Sequence, residues 1–125
     1  MAGTDGFYPG RAPIDSYGNG GFRFAGMSHR GSLLYLPGGI RRWDKRVFTG
    51  LDAYALECIV TEAKAIDILL VGTGINMVPL DEKTRELLRG YGISADAMTT
   101  GAAARTYNVL LAEDRHVAAA LIAVE

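Results

Sequence analysis

Two short stretches of this sequence place hydroxyls beside glycines: Gly72-Thr73-Gly74 and Thr99-Thr100-Gly101. Corners of this kind can offer threonine Oγ atoms and bare backbone N–H groups to a phosphate or a carboxylate. Glycine allows the tight turn and leaves no Cβ in the way. Arg105 and Asn108 follow within the next two turns of the chain. They would add a forked cationic donor and an amide. These eight residues form the candidate binding set: Gly72, Thr73, Gly74, Thr99, Thr100, Gly101, Arg105 and Asn108.

The first corner is an incomplete nucleotide signature. A dinucleotide fingerprint needs a third glycine that leads straight into a helix. Met77 stands where that glycine belongs, and Pro79 delays the next helix to about residue 81. Residues 75–80 thus separate the turn from any helix N-terminus, too far for close phosphate contact. No lysine follows in the P-loop position. A corner that needs backbone freedom is the simpler expectation.

Other reactive residue types stand alone. Cys58 is the only cysteine, which excludes an internal disulfide and a multi-cysteine metal centre. His29 and His116 lack metal-ligand spacing, Ser32 has no nucleophile elbow around it, and no carboxylate pair stands out. No catalytic residue, metal ligand or cofactor is therefore expected. Arg41-Arg42-Trp43-Asp44-Lys45-Arg46 mixes cations with an aromatic ring, as a single-strand binder would. A charge-protected edge strand explains the same residues. The net charge of −1 and pI near 6.1 argue against nucleic acid as a partner. No apolar run approaches the ~20 residues that span a bilayer, so no stable membrane insertion is expected. No secretory signal or mitochondrial presequence is legible, and a cytoplasmic location follows as the expectation.

The elements that would position these residues change rhythm midway. The 125 residues, 49% hydrophobic and 22% charged, suit one globular domain. Glycine and proline crowd the start, so residues 1–12 are expected as a flexible segment before a single domain over 13–125. Residues 22–26 and 32–36 read as strands, with a turn at Ser28-His29-Arg30-Gly31 between them; a third strand is expected over 40–48. Thr49 and Asp52 then resemble a capping box before a helix whose inner face carries Ala55, Leu56, Ile59, Val60 and Ala63. The run from Ile66 to Val71 suits a strand covered on both faces. Asp81 can cap a second helix with a stripe of Leu80, Thr84, Leu87, Leu88 and Tyr91, ended by Gly90 and Gly92. Residues 93–98 form a short strand candidate. Thr99 or Thr100 can cap a third helix running to about Glu113, and residues 117–124 form a last strand. Ala103, Tyr107, Leu110 and Leu111 face the core of that helix. Gly101, Ala104, Arg105, Asn108 and Ala112 form a flat opposite face suited to contact.

Alternating strands and helices predict parallel pairing through right-handed crossovers. The expected fold is a three-layer α/β domain with an added β-hairpin or small second sheet. Parallel strands ending at Val71 and Met98 would bring the two threonine corners to one edge, where ligands of such sheets bind.

The segments ILLVGTG, PLD and TTGAAARTYNVLLAEDRHVAAALI, with SYGNGGFRF and GSLLYLP before them, resemble the Mth938-like family. The resemblance covers residues 12–125. It implies a compact α/β domain with a mixed sheet, and kinship with a mitochondrial assembly factor for respiratory complex I. It supplies no catalytic residues. AAARTYN resembles an AACRTYN pattern of relatives, with Ala104 in the cysteine position. The leading expectation is an accessory or assembly protein that binds another protein through the 101–112 helix face and the GTG edge. Whether it also forms a homo-oligomer stays open. The alternative is a small-molecule or nucleotide-binding enzyme using Gly72–Gly74 and Thr99–Arg105.

Overall fold

The computed structural model describes residues 7–125. The first part of the chain builds antiparallel strands. β1 (Phe7–Pro9) lies against β6 (Gly39–Trp43), and β6 forms a hairpin with β5 (Ser32–Leu36). Between them in sequence, β2 (Ser16–Gly18), β3 (Gly21–Phe24) and β4 (Met27–Arg30) form a separate three-stranded meander. Its first turn is Asn19-Gly20, with φ of 53° and 81°, the left-handed pair that a two-residue hairpin needs. Its second is Ala25-Gly26, where an alanine accepts φ of 51°.

Several expectations change here. Residues 28–30 belong to β4 rather than to a turn, and Gly31 at φ 103° makes the break instead. The expected flexible segment 1–12 lies outside the described residues as far as residue 6, whereas Phe7–Pro9 pairs within the sheet. The strand expected over 40–48 stops at Trp43, because Lys45 N–H turns back to donate to Trp43 O at 2.9 Å.

The remainder alternates. α1 (Ala53–Thr61) is capped by Asp52 itself, not Thr49: its carboxylate accepts from Ala55 N–H at 2.9 Å and from Trp43 Nε1 at 3.2 Å. A 3-10 turn, Ala63–Ala65, leads to β7 (Ile68–Gly72). Asp81 caps α2 (Glu82–Gly90), and Gly92 at φ 84° turns the chain into β8 (Ser94–Met98). Thr99 caps α3 (Thr100–Ala112), which leads to β9 (Val117–Leu121).

The main sheet runs β1-β6-β5-β9-β7-β8. β9 pairs antiparallel with β5 and parallel with β7; β8 pairs parallel with β7. The sheet is therefore mixed, and it carries a layer on each face. On one side, α1 and α2 pack Ala55, Ile59 and Leu88 against Leu34, Leu69, Val71 and Ala120. On the other, α3 and the small sheet pack Tyr107, Ala103, Phe22 and Phe24 against Tyr35, Leu70 and Ala119. The three-layer expectation holds, and the small second sheet completes one layer. α2 lies over the margin of the sheet beside β8. Of the expected stripe Leu80, just ahead of the helix, and Leu88 are buried, whereas Leu87 and Tyr91 face solvent.

Candidate functional site

The parallel strands bring the two threonine corners together. Gly72 ends β7 opposite Met98 of β8 and Leu121 of β9. Thr73 N–H donates to Met98 O at 2.9 Å, and Thr100 N–H donates to Gly74 O at 2.9 Å. A Cβ on Gly72 would lie 2.9 Å from Thr100 Cα and 2.8 Å from Leu121 Cδ2, so only glycine permits this approach. Gly74, at φ 112°, supplies the left-handed step of the turn.

Both buried hydroxyls serve the backbone. Thr100 Oγ1 donates to Ile122 O at 2.7 Å and accepts from Gly74 N–H at 3.0 Å. It ties together three segments: the start of α3, the corner after β7 and the residue after β9. Thr73 Oγ1 donates to Asn76 O at 2.8 Å and accepts from Val78 N–H at 3.0 Å. The hydroxyl of Thr99 accepts from Ala102 N–H at 3.3 Å as the helix cap. The corner is thus cross-braced from within.

That bracing holds out an apolar loop. From Ile75 to Pro79 every residue is exposed, with Ile75 at 71% and Met77 at 54%. Val78 and Pro79 continue the surface before Leu80 returns to the core. Three large apolar side chains, Ile75, Met77 and Val78, are thus exposed on one short loop beside the corner. The apolar content of INMVP is legible in the sequence, but a loop this short has no periodicity to show that its side chains are exposed.

The 101–112 face divides in two. Ala104 is buried, in the core cluster with Ala103 and Tyr107, rather than on the open side. The reason is the small sheet and the chain leading to it, which lie against α3 and cover part of the face expected to be open. Asn108 clamps that chain: its Oδ1 accepts from Ile14 N–H and its Nδ2 donates to Ile14 O, each at 2.8 Å. Gly101 leaves room for the Tyr17 hydroxyl, 2.6 Å from where a Cβ would stand. Arg105 stays exposed, its Nη1 donating to Tyr17 Oη at 3.4 Å. Arg105 and Tyr17 therefore mark the open end of the face, and Tyr17 is a residue the sequence reading missed.

The remaining candidates disperse. Arg42 pairs with Asp44 at 3.4 Å, and the Arg41 guanidinium lies over the Phe7 ring at 4.9 Å. His29 sits half-buried on β4, and loss of water holds its imidazole below the usual range. Cys58 is partly buried on the flank of α1. Among the described residues no three His, Cys, Asp or Glu side chains gather as metal ligands. Among them, too, no helix is long and apolar enough to cross a membrane.

Residues 14–122 match the family described as a protein of unknown function (DUF498/DUF598). An uncharacterised protein of Rhodobacter capsulatus is 40% identical over 122 residues, taking in 98% of this chain and 93% of that one. NADH dehydrogenase (ubiquinone) 1 alpha subcomplex assembly factor 3 of Xenopus tropicalis is 30% identical over 109 residues. That match takes in 87% of this chain but only 60% of the assembly factor's length. A crystal structure described as an outer membrane protein from Bartonella henselae superposes with a TM-score of 0.87 at 54% identity, covering 94% of this chain and 99% of that one. A solution structure of a Bordetella pertussis protein, described as a Mth938-like domain, superposes with a TM-score of 0.76 at 25% identity, covering 90% and 85%. With the family match spanning nearly all the described residues and the mixed three-layer sheet shared with these structures, the chain belongs to the DUF498/DUF598 family and has the Mth938-like fold.

Proposed function

We propose that this chain is an assembly-type accessory protein in the biogenesis of a respiratory complex, acting by binding another protein at the edge where β7 and β8 end. The observation that carries this reading is the apolar loop Ile75–Pro79, exposed on a corner whose own hydroxyls are consumed internally. A rigid mount with exposed Ile, Met and Val suits docking, because little chain entropy is lost when a partner covers it. Arg105 and Tyr17 supply a polar rim beside the first turn of α3. The kinship with complex I assembly factors supports a role of this class.

The test is co-purification from native extract with a tagged chain. Replacing Ile75 and Met77 by Ser, or Arg105→Glu, is expected to release the partner while the circular dichroism spectrum stays unchanged. Retention of every partner by both variants would remove this surface from consideration. A nucleotide-binding enzyme would instead need Thr73 and Thr100 to give up the bonds they make. A ligand-induced stabilisation of about 2.7 kcal/mol at 100 times its Kd would favour that competitor.

A further inference from the structure

Charge is divided along this chain. Residues 1–48 hold seven basic and three acidic residues, while residues 49–125 hold six basic and eleven acidic ones. The fold gathers part of the basic excess onto one surface. In the small sheet, pairing puts Ser16, Arg23 and Ser28 in one row and Gly18, Gly21 and Arg30 in the next, all on the face away from the core. Tyr17, Phe22 and His29 occupy the opposite face. Four of the six outward positions therefore carry a hydroxymethyl group or no side chain at all. They leave a trough between two long guanidinium-bearing residues, a cleft of about 270 Å³.

Arg30 also lines a second cleft, of about 730 Å³, together with Lys45 and Arg46. Among the described residues none of these four cations has a carboxylate within salt-bridge distance. Arg23 donates one bond to Ser28 Oγ at 2.9 Å, which orients the guanidinium and leaves its other donors for a ligand. The result is a track of Arg23, Arg30, Lys45 and Arg46 with a floor too low to obstruct an extended chain.

We infer that this track binds an acidic peptide segment of a partner protein. Guanidinium groups pair in a forked geometry with carboxylates, and three of them with the Lys45 ammonium, spaced along a trough, suit a chain with several acidic side chains. Asp44 and Glu125 also line the second cleft. They would repel a uniform polyphosphate but can pair with a basic residue in a mixed peptide. The whole chain, at −1, also gives no long-range attraction to a large polyanion such as nucleic acid or an anionic bilayer. Local complementarity is what remains, and it fits a short segment. This inference is independent of the Ile75–Pro79 surface.

The test is fluorescence anisotropy of a labelled peptide of alternating glutamate and serine that carries one lysine near its end, titrated with the full chain. Saturable binding is expected, weakened about tenfold or more by Arg23→Glu with Arg30→Glu, and weakened by added salt. Arg23→Gln with Arg30→Gln should give an intermediate loss, and Met77→Ser should give none. Circular dichroism confirms that each variant is folded. Absence of saturable binding overturns the inference, as does binding indifferent to Arg23 and Arg30. Equal or tighter binding of an oligothymidylate of matched charge, or of vesicles containing phosphatidylglycerol, overturns it as well.

Discussion

Thr100 shows how one hydroxyl can hold a site's shape. Thr100→Val keeps the volume but leaves Gly74 N–H and Ile122 O buried without that partner. The expected cost is about 2–4 kcal/mol, read as a lower urea midpoint with unchanged slope. A loss under about 0.5 kcal/mol would mean that water replaces the hydroxyl. Tyr35 is the reverse case. Its hydroxyl is buried among Phe22, Phe24 and Tyr107, with no hydrogen-bond partner among the described residues. Tyr35→Phe removes a desolvation cost and is expected to stabilise by about 1 kcal/mol. Burial raises the Tyr35 phenol's pKa and pushes that of Tyr107 up to about 12. A raised folded-state value stabilises below the ordinary tyrosine range near 10 and is lost as the pH climbs past it. The Tyr35→Phe protein should therefore lose less stability than the parent between pH 8 and about pH 11. At this scale the sequence shows which residues can donate, as at Thr73 and Thr100, but not which way an Oγ points. Only the pairing of the strands around it decides that.

Asp52 links two elements at once. Its carboxylate caps α1 through Ala55 N–H and holds the indole N–H of Trp43 at the end of β6. Asp52→Ala should destabilise by about 2 kcal/mol, more than an isolated cap usually costs, since the buried indole also loses a partner. Asp52→Asn, which keeps both acceptor contacts, should recover most of it; equal losses in the two variants would show that charge, not bonding, matters. Elements were legible where local chemistry dominates. The αβ rhythm, the caps at Asp81 and Thr99 and the turn at Gly92 were open to reading. The meander was harder. Asn19-Gly20 announces a hairpin, but Ala25 with a positive φ carries no mark in its side chain, so β4 was hidden inside an expected turn. On α3, Ala104 could not be assigned from periodicity alone. What covers it comes from a different part of the chain, held to the helix through Asn108 and Ile14.

At the scale of the molecule, the parallel half and three layers follow from the order of segments, while the strand order does not. β9 inserts between β5 and β7, so the antiparallel and parallel parts of the main sheet meet only through it. Its run Val117–Leu121 is wholly buried, and its three alanines let layers approach closely from both sides. Removing residues 116–125 should therefore abolish the fold rather than trim it. The expected result is loss of a cooperative urea transition followed by circular dichroism. A truncated chain that still unfolds cooperatively would show that the two parts stand independently.

The place of β9 also bears on how the protein is made. Every other strand of the main sheet leaves the ribosome before the one that joins them. Until Leu121 emerges, the nascent chain carries two unmatched sheet margins, on β5 and β7, each open to pairing with a neighbouring polypeptide. Birth is thus the moment of greatest vulnerability to aggregation, and a synonymous slow codon upstream would prolong it.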